Sequence, residues 1–206
     1  MSAQTGKPGT VRVALTGGIG SGKSTALLMF GARGAAVLSS DRVVHALLQR
    51  EDVRQRISEN LNLGRVDLGE TGRLALADVV FADEEKLHKL EAILFPLVRG
   101  EISNWMESSY VTSAPLAVVE IPMVFEAAME DLFDKIVLVT APSEVRGARH
   151  AGLVGQADFE RRASHQLPEE EKEKRSDLVY HNTGSPDELD EFVERTVATL
   201  IPAGGK

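Results

Sequence analysis

Val13 to Thr25 read VALTGGIGSGKST: an apolar run, four glycines within six residues, then a lysine followed by two hydroxyls. Gly17-Gly18-Ile19-Gly20-Ser21-Gly22-Lys23-Ser24 satisfies G-x-x-x-x-G-K-[ST]. Bare glycines let successive backbone N–H groups turn inward as a nest for an anion, where side chains would block the approach. A helix beginning near Lys23 adds its N-terminal N–H groups and the positive end of its dipole. From there Lys23 can reach the β- and γ-phosphates of a nucleoside triphosphate, and the Ser24 hydroxyl is placed to hold Mg2+. The spacing predicts a nucleotide-phosphate cradle made by Gly18, Ile19, Gly20, Ser21, Gly22, Lys23, Ser24 and Thr25. A Gly-rich turn with a chance lysine is the alternative; the apolar run before the loop and the helical pattern after it favour the cradle.

The elements that must hold this cradle follow from periodicity. Five short runs rich in β-branched residues, at 11–16, 35–39, 116–121, 135–140 and 177–182, are apolar without alternation, as strands buried on both faces are. Helical patterns separate them. The first, STALLMFGARG, should stop at Gly31 or Gly34. A later one places Leu87, Leu90, Leu94, Val98, Ile102 and Trp105 three or four residues apart, and Pro96 is expected to break or kink it. The last opens with Ser185 as N-cap, Pro186 at the first helical position and Glu188 completing a capping box. Strands alternating with helices predict an α/β fold with a five-stranded parallel sheet flanked by helices.

Phosphate loops serve several classes of protein. An Asp-x-x-Gly switch with an Asn-Lys-x-Asp box would mark a GTPase, and Leu-Ser-Gly-Gly-Gln a transporter ATPase; neither is found. The small size and the helical stretch after the second strand favour a small-molecule kinase.

The remaining motifs narrow this. SSDRVVH, GRLALADVVFADEEKLHKLEAILFPLV, VVEIPMVFE and ASHQLPEEEKEKRSDLVYHNTGSPDEL follow the loop in order. With the spacing Gln166, Lys172, Asp177, Asn182-Thr183-Gly184, they resemble the dephospho-CoA kinase family over about residues 11 to 200. The resemblance implies a P-loop kinase fold, with ATP as phosphoryl donor, Mg2+ as cofactor and dephospho-CoA as the small-molecule acceptor. It implies one domain over 1–206: a core of 11–41, 114–142 and 176–200, a helical acceptor-side insertion at 42–113 and a lid at 143–175. Another P-loop metabolite kinase, or a nucleotide-binding relative without catalysis, is the alternative.

Carried over residue by residue, Asp41 would attend the acceptor hydroxyl as catalytic acid–base group, although an aspartate there also suits the N-cap of the following helix. His45, one helical turn on, would face the acceptor; a solvent-facing histidine is the plainer reading. Glu120, where the family commonly has aspartate, would join Ser24 at the metal. Arg73, Pro122 and Glu126 would line the acceptor side. Phe95 stands where the family typically has histidine, exchanging a hydrogen-bonding group for apolar area. Arg146 and Arg149 are the leading lid cations, shifted from the family's usual arginine positions; His150, Arg161 and Arg162 are further candidates. Asn182 and Gly184 match a loop expected near the adenine. PEEEKEKR is expected to be a solvated helix face, although Lys172 matches a family lysine.

Bulk properties bound the rest. The chain has 206 residues, 43% hydrophobic and 26% charged, ordinary for one globular domain. A net charge of −8 argues against a general nucleic-acid partner. No long apolar run or leader-like start is found, and cysteine is absent, so a cytoplasmic protein without membrane segments is expected. Oligomeric state is not readable.

Overall fold

The computed structural model describes residues 9–63, 70–154, 160 and 163–201, with 70–74 and 150–154 described as helix only. All five expected strands form: β1 (Val11–Thr16), β2 (Ala36–Ser39), β3 (Leu116–Glu120), β4 (Lys135–Thr140) and β5 (Leu178–His181). They make one parallel sheet in the order β2-β3-β1-β4-β5. β3 is buried at every position, which is why its sequence does not alternate.

Successive strand residues point to opposite faces, and the packing follows that period. Val13, Leu15, Val118, Val137 and Val139 face α1 (Lys23–Ala32) and the C-terminal helix. Phe30 of α1, with no exposed surface, fills the centre of this layer beside Leu189 and Val193. The intervening Ala36 and Ala117 face Val111 and Trp105 instead. α1 runs through Gly31 and ends at Ala32, with Gly34 at φ +86° supplying the left-handed turn that stops it.

Between β2 and β3 come α2 (Ser40–Gln49), α3 (Glu51–Leu61), α4 (Glu70–Phe81), α5 (Glu84–Met106) and the short α6 (Ser109–Thr112). By their contacts, Ser40–Ser103 form one compact unit and the rest of the chain another. The helical unit has its own core, where Val53, Ile57 and Leu61 at i, i+4, i+8 on α3 meet Leu76, Val80, Leu87, Ile93 and Leu94.

Of the two outcomes expected at Pro96, the break does not occur: α5 is continuous from Glu84 to Met106. The lost backbone donor and ring clash cost about 3 kcal/mol in a helix interior. Buried Ile93, Leu94, Val98 and Ile102 on both sides of Pro96 hold the helix together against that cost. Pro96 itself is exposed, so its ring displaces no packing.

After β4 come α7 (Ser143–Val154), α8 (Glu169–Lys174), β5 and α9 (Pro186–Leu200). The capping box of α9 forms as expected, with the Glu188 backbone N–H donating to Ser185 Oγ at 3.3 Å. α9 is tied to α1 by Arg33, whose guanidinium donates to both carboxylate oxygens of Asp190 at 2.7 Å. Those bonds hold the Asp190 carboxyl below its ordinary range. Tyr180 of β5 stacks on Phe192 of α9 with centroids 4.7 Å apart.

Pro96→Ala restores the missing donor at an exposed position and should raise stability by about 1 kcal/mol or more. Thermal unfolding of the two proteins checks this; a lower Tm for the variant would show that the proline is stabilising the helix it interrupts.

Candidate functional site: a phosphate loop packed from behind

The chain reaches β2 through α1 on one side of β1, then leaves β3 for β4 on the other. β1 and β3 are neighbours, with Leu15 opposite Glu120, so the sheet switches direction between them. The crevice beyond the carboxyl ends of strands at such a point is where open α/β sheets bind ligands. Gly17–Gly22 leaves β1 there, and α1 begins at Lys23 with Gly22 as its N-cap residue in the left-handed conformation.

Lys23, buried, donates from Nζ to the Gly18 carbonyl at 2.9 Å, which holds the ammonium over the loop. Ser24 Oγ donates to Glu120 Oε1 at 2.8 Å, and Glu120 is only 4% exposed at the end of β3. The two expected metal groups are therefore already together. Hydroxyl and carboxylate are hard oxygen donors, and one or two of these plus substrate phosphates is the usual protein share of a Mg2+ site. Among the described residues no group of three or more His, Cys, Asp or Glu is arranged to hold a metal by itself.

The loop is crowded by its neighbours. A Cβ on Gly18 would run into Arg146 Nη1 and stand 2.6 Å from Glu169 Oε1. Gly22 has φ +104°, and a Cβ there would run into Asn182 Nδ2. Asn182, buried, donates from that nitrogen to the Ser21 carbonyl at 2.7 Å, while its backbone N–H donates to Thr140 O at 2.7 Å. The Asn182–Gly184 stretch thus anchors the loop to the end of β4. Gly184 leaves room for Glu188, whose carboxylate a Cβ would meet.

Of the two leading lid arginines, Arg146 is brought to the loop. It is 8% exposed, its Nε donates to Ala141 O at 2.9 Å, and its guanidinium lies against Gly18. Arg149 is exposed on the next turn of α7. The side chain of His150, and Arg161 and Arg162 altogether, lie outside the described residues. Ile19 is half-buried and Thr25 is exposed on α1.

Asp41, His45 and Phe95 belong to the helical unit, as does Arg73, whose side chain lies outside the described residues. α2 begins at Ser40, so Asp41 sits within its first turn and is not its N-cap. Asp41 and His45 are both exposed, four residues apart on α2; Phe95 is half-buried in α5. In the sheet unit, Pro122 accepts a hydrogen bond at its carbonyl from Thr16 Oγ1 at 3.3 Å. Glu126 Oε1 accepts the Leu167 N–H at 2.7 Å.

The solvated face expected for PEEEKEKR is corrected by α8. Lys172 is fully buried, with Glu126 Oε1 at 3.9 Å and Glu169 Oε1 at 3.7 Å. Glu169 Oε2 also accepts from Thr140 Oγ1 at 2.5 Å. Glu169 and Lys172 are three apart, so they share the inner side of a helix under two turns long. A run of alternating charges hides which members turn inward. Only the match of Lys172 to a family lysine pointed there, and nothing in the sequence singled out Glu169 or Thr140.

A triphosphate loop at the switch point of a five-stranded parallel sheet, with a hydroxyl–carboxylate pair beside it, defines a P-loop kinase. A shikimate kinase from Acinetobacter baumannii shares this fold at TM-score 0.55 and 11% identity, covering 96% of each chain. Residues 11–188 match the dephospho-CoA kinase family model, and the chain belongs to that family. It is 36% identical over 192 residues to the dephospho-CoA kinase of Aquifex aeolicus, covering 92% of this chain and 97% of that one. The solved structure of a Thermus thermophilus protein matches with TM-score 0.73 and 34% identity over 93% of this chain and 98% of the other. No described helix is long and apolar enough to cross a membrane.

Gly22→Ala combines a left-handed backbone with a collision at Asn182 and should abolish ATP binding measured by calorimetry. Gly34→Ala shares the positive φ but meets nothing within 4 Å. It should cost about 1–2 kcal/mol of stability and leave ATP affinity unchanged. Equal loss of binding in both would remove the crowding argument.

Proposed function

We propose that the chain transfers the γ-phosphoryl group of ATP to the 3′-hydroxyl of the ribose of dephospho-CoA, giving coenzyme A and ADP. The observation that carries the reading is the join between loop and sheet. Lys23 is folded over the phosphate loop and Ser24 is bonded to Glu120, in a chain that matches the dephospho-CoA kinase family over residues 11–188.

Phosphoryl transfer asks the protein for positioning and charge neutralisation more than for covalent chemistry. The loop N–H groups and Lys23 hold the β- and γ-phosphates, and Ser24 with Glu120 holds Mg2+, which when bound neutralises phosphate charge. Arg146 supports the same charge from α7, and Arg149 approaches when the 143–175 segment acts as a lid. Asp41 orients the ribose hydroxyl and accepts its proton as the hydroxyl oxygen bonds to Pγ and the bond from Pγ to the β–γ bridging oxygen breaks. Its exposure and its freedom from capping suit that task.

His45, Arg73 and Phe95 are proposed as acceptor contacts, and so, each on its own account, are Pro122 and Glu126. Glu126 acts there by fixing the backbone, since its carboxylate is engaged by the Leu167 N–H. Phe95 contributes apolar contact where histidine would offer a hydrogen bond. Asn182 and Gly184 border the adenine. A cytoplasmic setting, where ATP is supplied, suits this reaction.

A coupled assay with ATP, Mg2+ and dephospho-CoA should show turnover that Lys23→Ala lowers by at least about 10³-fold. Asp41→Asn should lower kcat by roughly 10²–10⁴-fold while leaving the ATP Kd within about threefold. An Asp41→Asn enzyme with normal kcat would take the acid–base role away from that residue.

A further inference from the structure

Lys172 is an ammonium with no exposed surface and, among the described residues, no hydrogen-bond partner for its Nζ. Two carboxylates flank it, Glu126 at 3.9 Å and Glu169 at 3.7 Å, and Glu126 Oε2 is likewise buried without a hydrogen-bond partner among the described residues. Burying a lysine is costly, and a fold that needed only packing there would fill the space with an apolar side chain. Burial pushes the ammonium pKa down, Glu126 and Glu169 oppose that, and the nearby Arg146 adds to it.

What Lys172 touches gives it a task. Glu169 is the carboxylate that leans on Gly18 of the phosphate loop and receives the Thr140 hydroxyl. A carboxylate in that place would repel a triphosphate unless its charge were cancelled. Lys172 places its positive charge between Glu126 and Glu169, so the carboxylate beside Gly18 has a cation of its own.

We propose that Lys172 is a positioning residue for nucleotide binding, neutralising Glu169 so that a carboxylate can brace the phosphate loop without repelling the triphosphate. The inference rests on the reading of Gly17–Ser24 as the ATP site. It reaches further, assigning a buried side chain of α8 to the electrostatics of that loop. Arg175 fastens α8 beside it by lying over the Phe125 ring at 4.4 Å and pairing with Glu130, so the cation is held by a fixed element.

The test is ATP binding by the full chain, measured by calorimetry without acceptor. Lys172→Met keeps the bulk and removes the charge, and should weaken ATP binding at least tenfold. Lys172→Met with Glu169→Gln removes the uncompensated charge as well, keeps an acceptor for Thr140, and should return the Kd to within threefold of the parent. A purely structural lysine would lower Tm without moving the Kd. A loss under tenfold in the single variant, or a double variant as weak as the single, overturns the proposal. Should the single variant not fold, Glu169→Gln alone decides: tighter ATP binding supports the proposal, and unchanged or weaker binding overturns it. A parent chain that does not bind ATP would instead fail the reading of the loop.

Discussion

The rest of the protein is pressed so closely against the phosphate loop that Gly18 and Gly22 have no room for a side chain. Arg146 and Glu169 lie on Gly18, and Asn182 lies on Gly22. These groups come from α7, α8 and the turn after β5, elements distant in sequence. A loop of four glycines in six residues is entropically expensive to order, and this packing is what orders it. The same contacts dictate the charge pattern behind the loop, because a carboxylate close to a phosphate site needs a cation beside it.

The sheet order makes this convergence possible. β1 and β4 are neighbours, so the end of β4, with Thr140 and Ala141, lies alongside the exit of β1. β5 is the next strand, which brings Asn182 within reach of Ser21. On the other side β3 delivers Glu120 to Ser24. β2 ends at Ser39, opposite Glu120, and the helical unit follows from the next residue, so Asp41 comes two residues after the sheet ends. Parallel strands put all their carboxyl ends on one edge of the sheet. Residues contributed by β1, β3, β4 and β5 therefore meet around one loop.

The parts of this fold that were legible in the sequence were those with a local signature. The five strands announced themselves as short β-branched runs, and the loop by a glycine spacing that suits a phosphate nest. Ser185-Pro186 marked the start of α9 because capping is a matter of four consecutive residues. Pro96 does not end α5 because its local penalty is set against tertiary burial of Ile93, Leu94, Val98 and Ile102, which local sequence does not reveal. Lys172 and Glu169 were hidden for a related reason: in EEEKEK every residue reads as solvent-facing, and only the placement of α8 against β4 decides which two turn in. The resemblance pointed to Lys172 by position but offered no physical account of it; burial between two carboxylates does.

The most direct test of the account is the chemical identity of the product. Incubated with ATP, Mg2+ and dephospho-CoA, the chain should yield ADP and one new phosphomonoester, seen by phosphorus NMR coupled to the ribose C3′ proton and matching coenzyme A. Consumption of ATP without that resonance, or a phosphate placed at another hydroxyl, would contradict it.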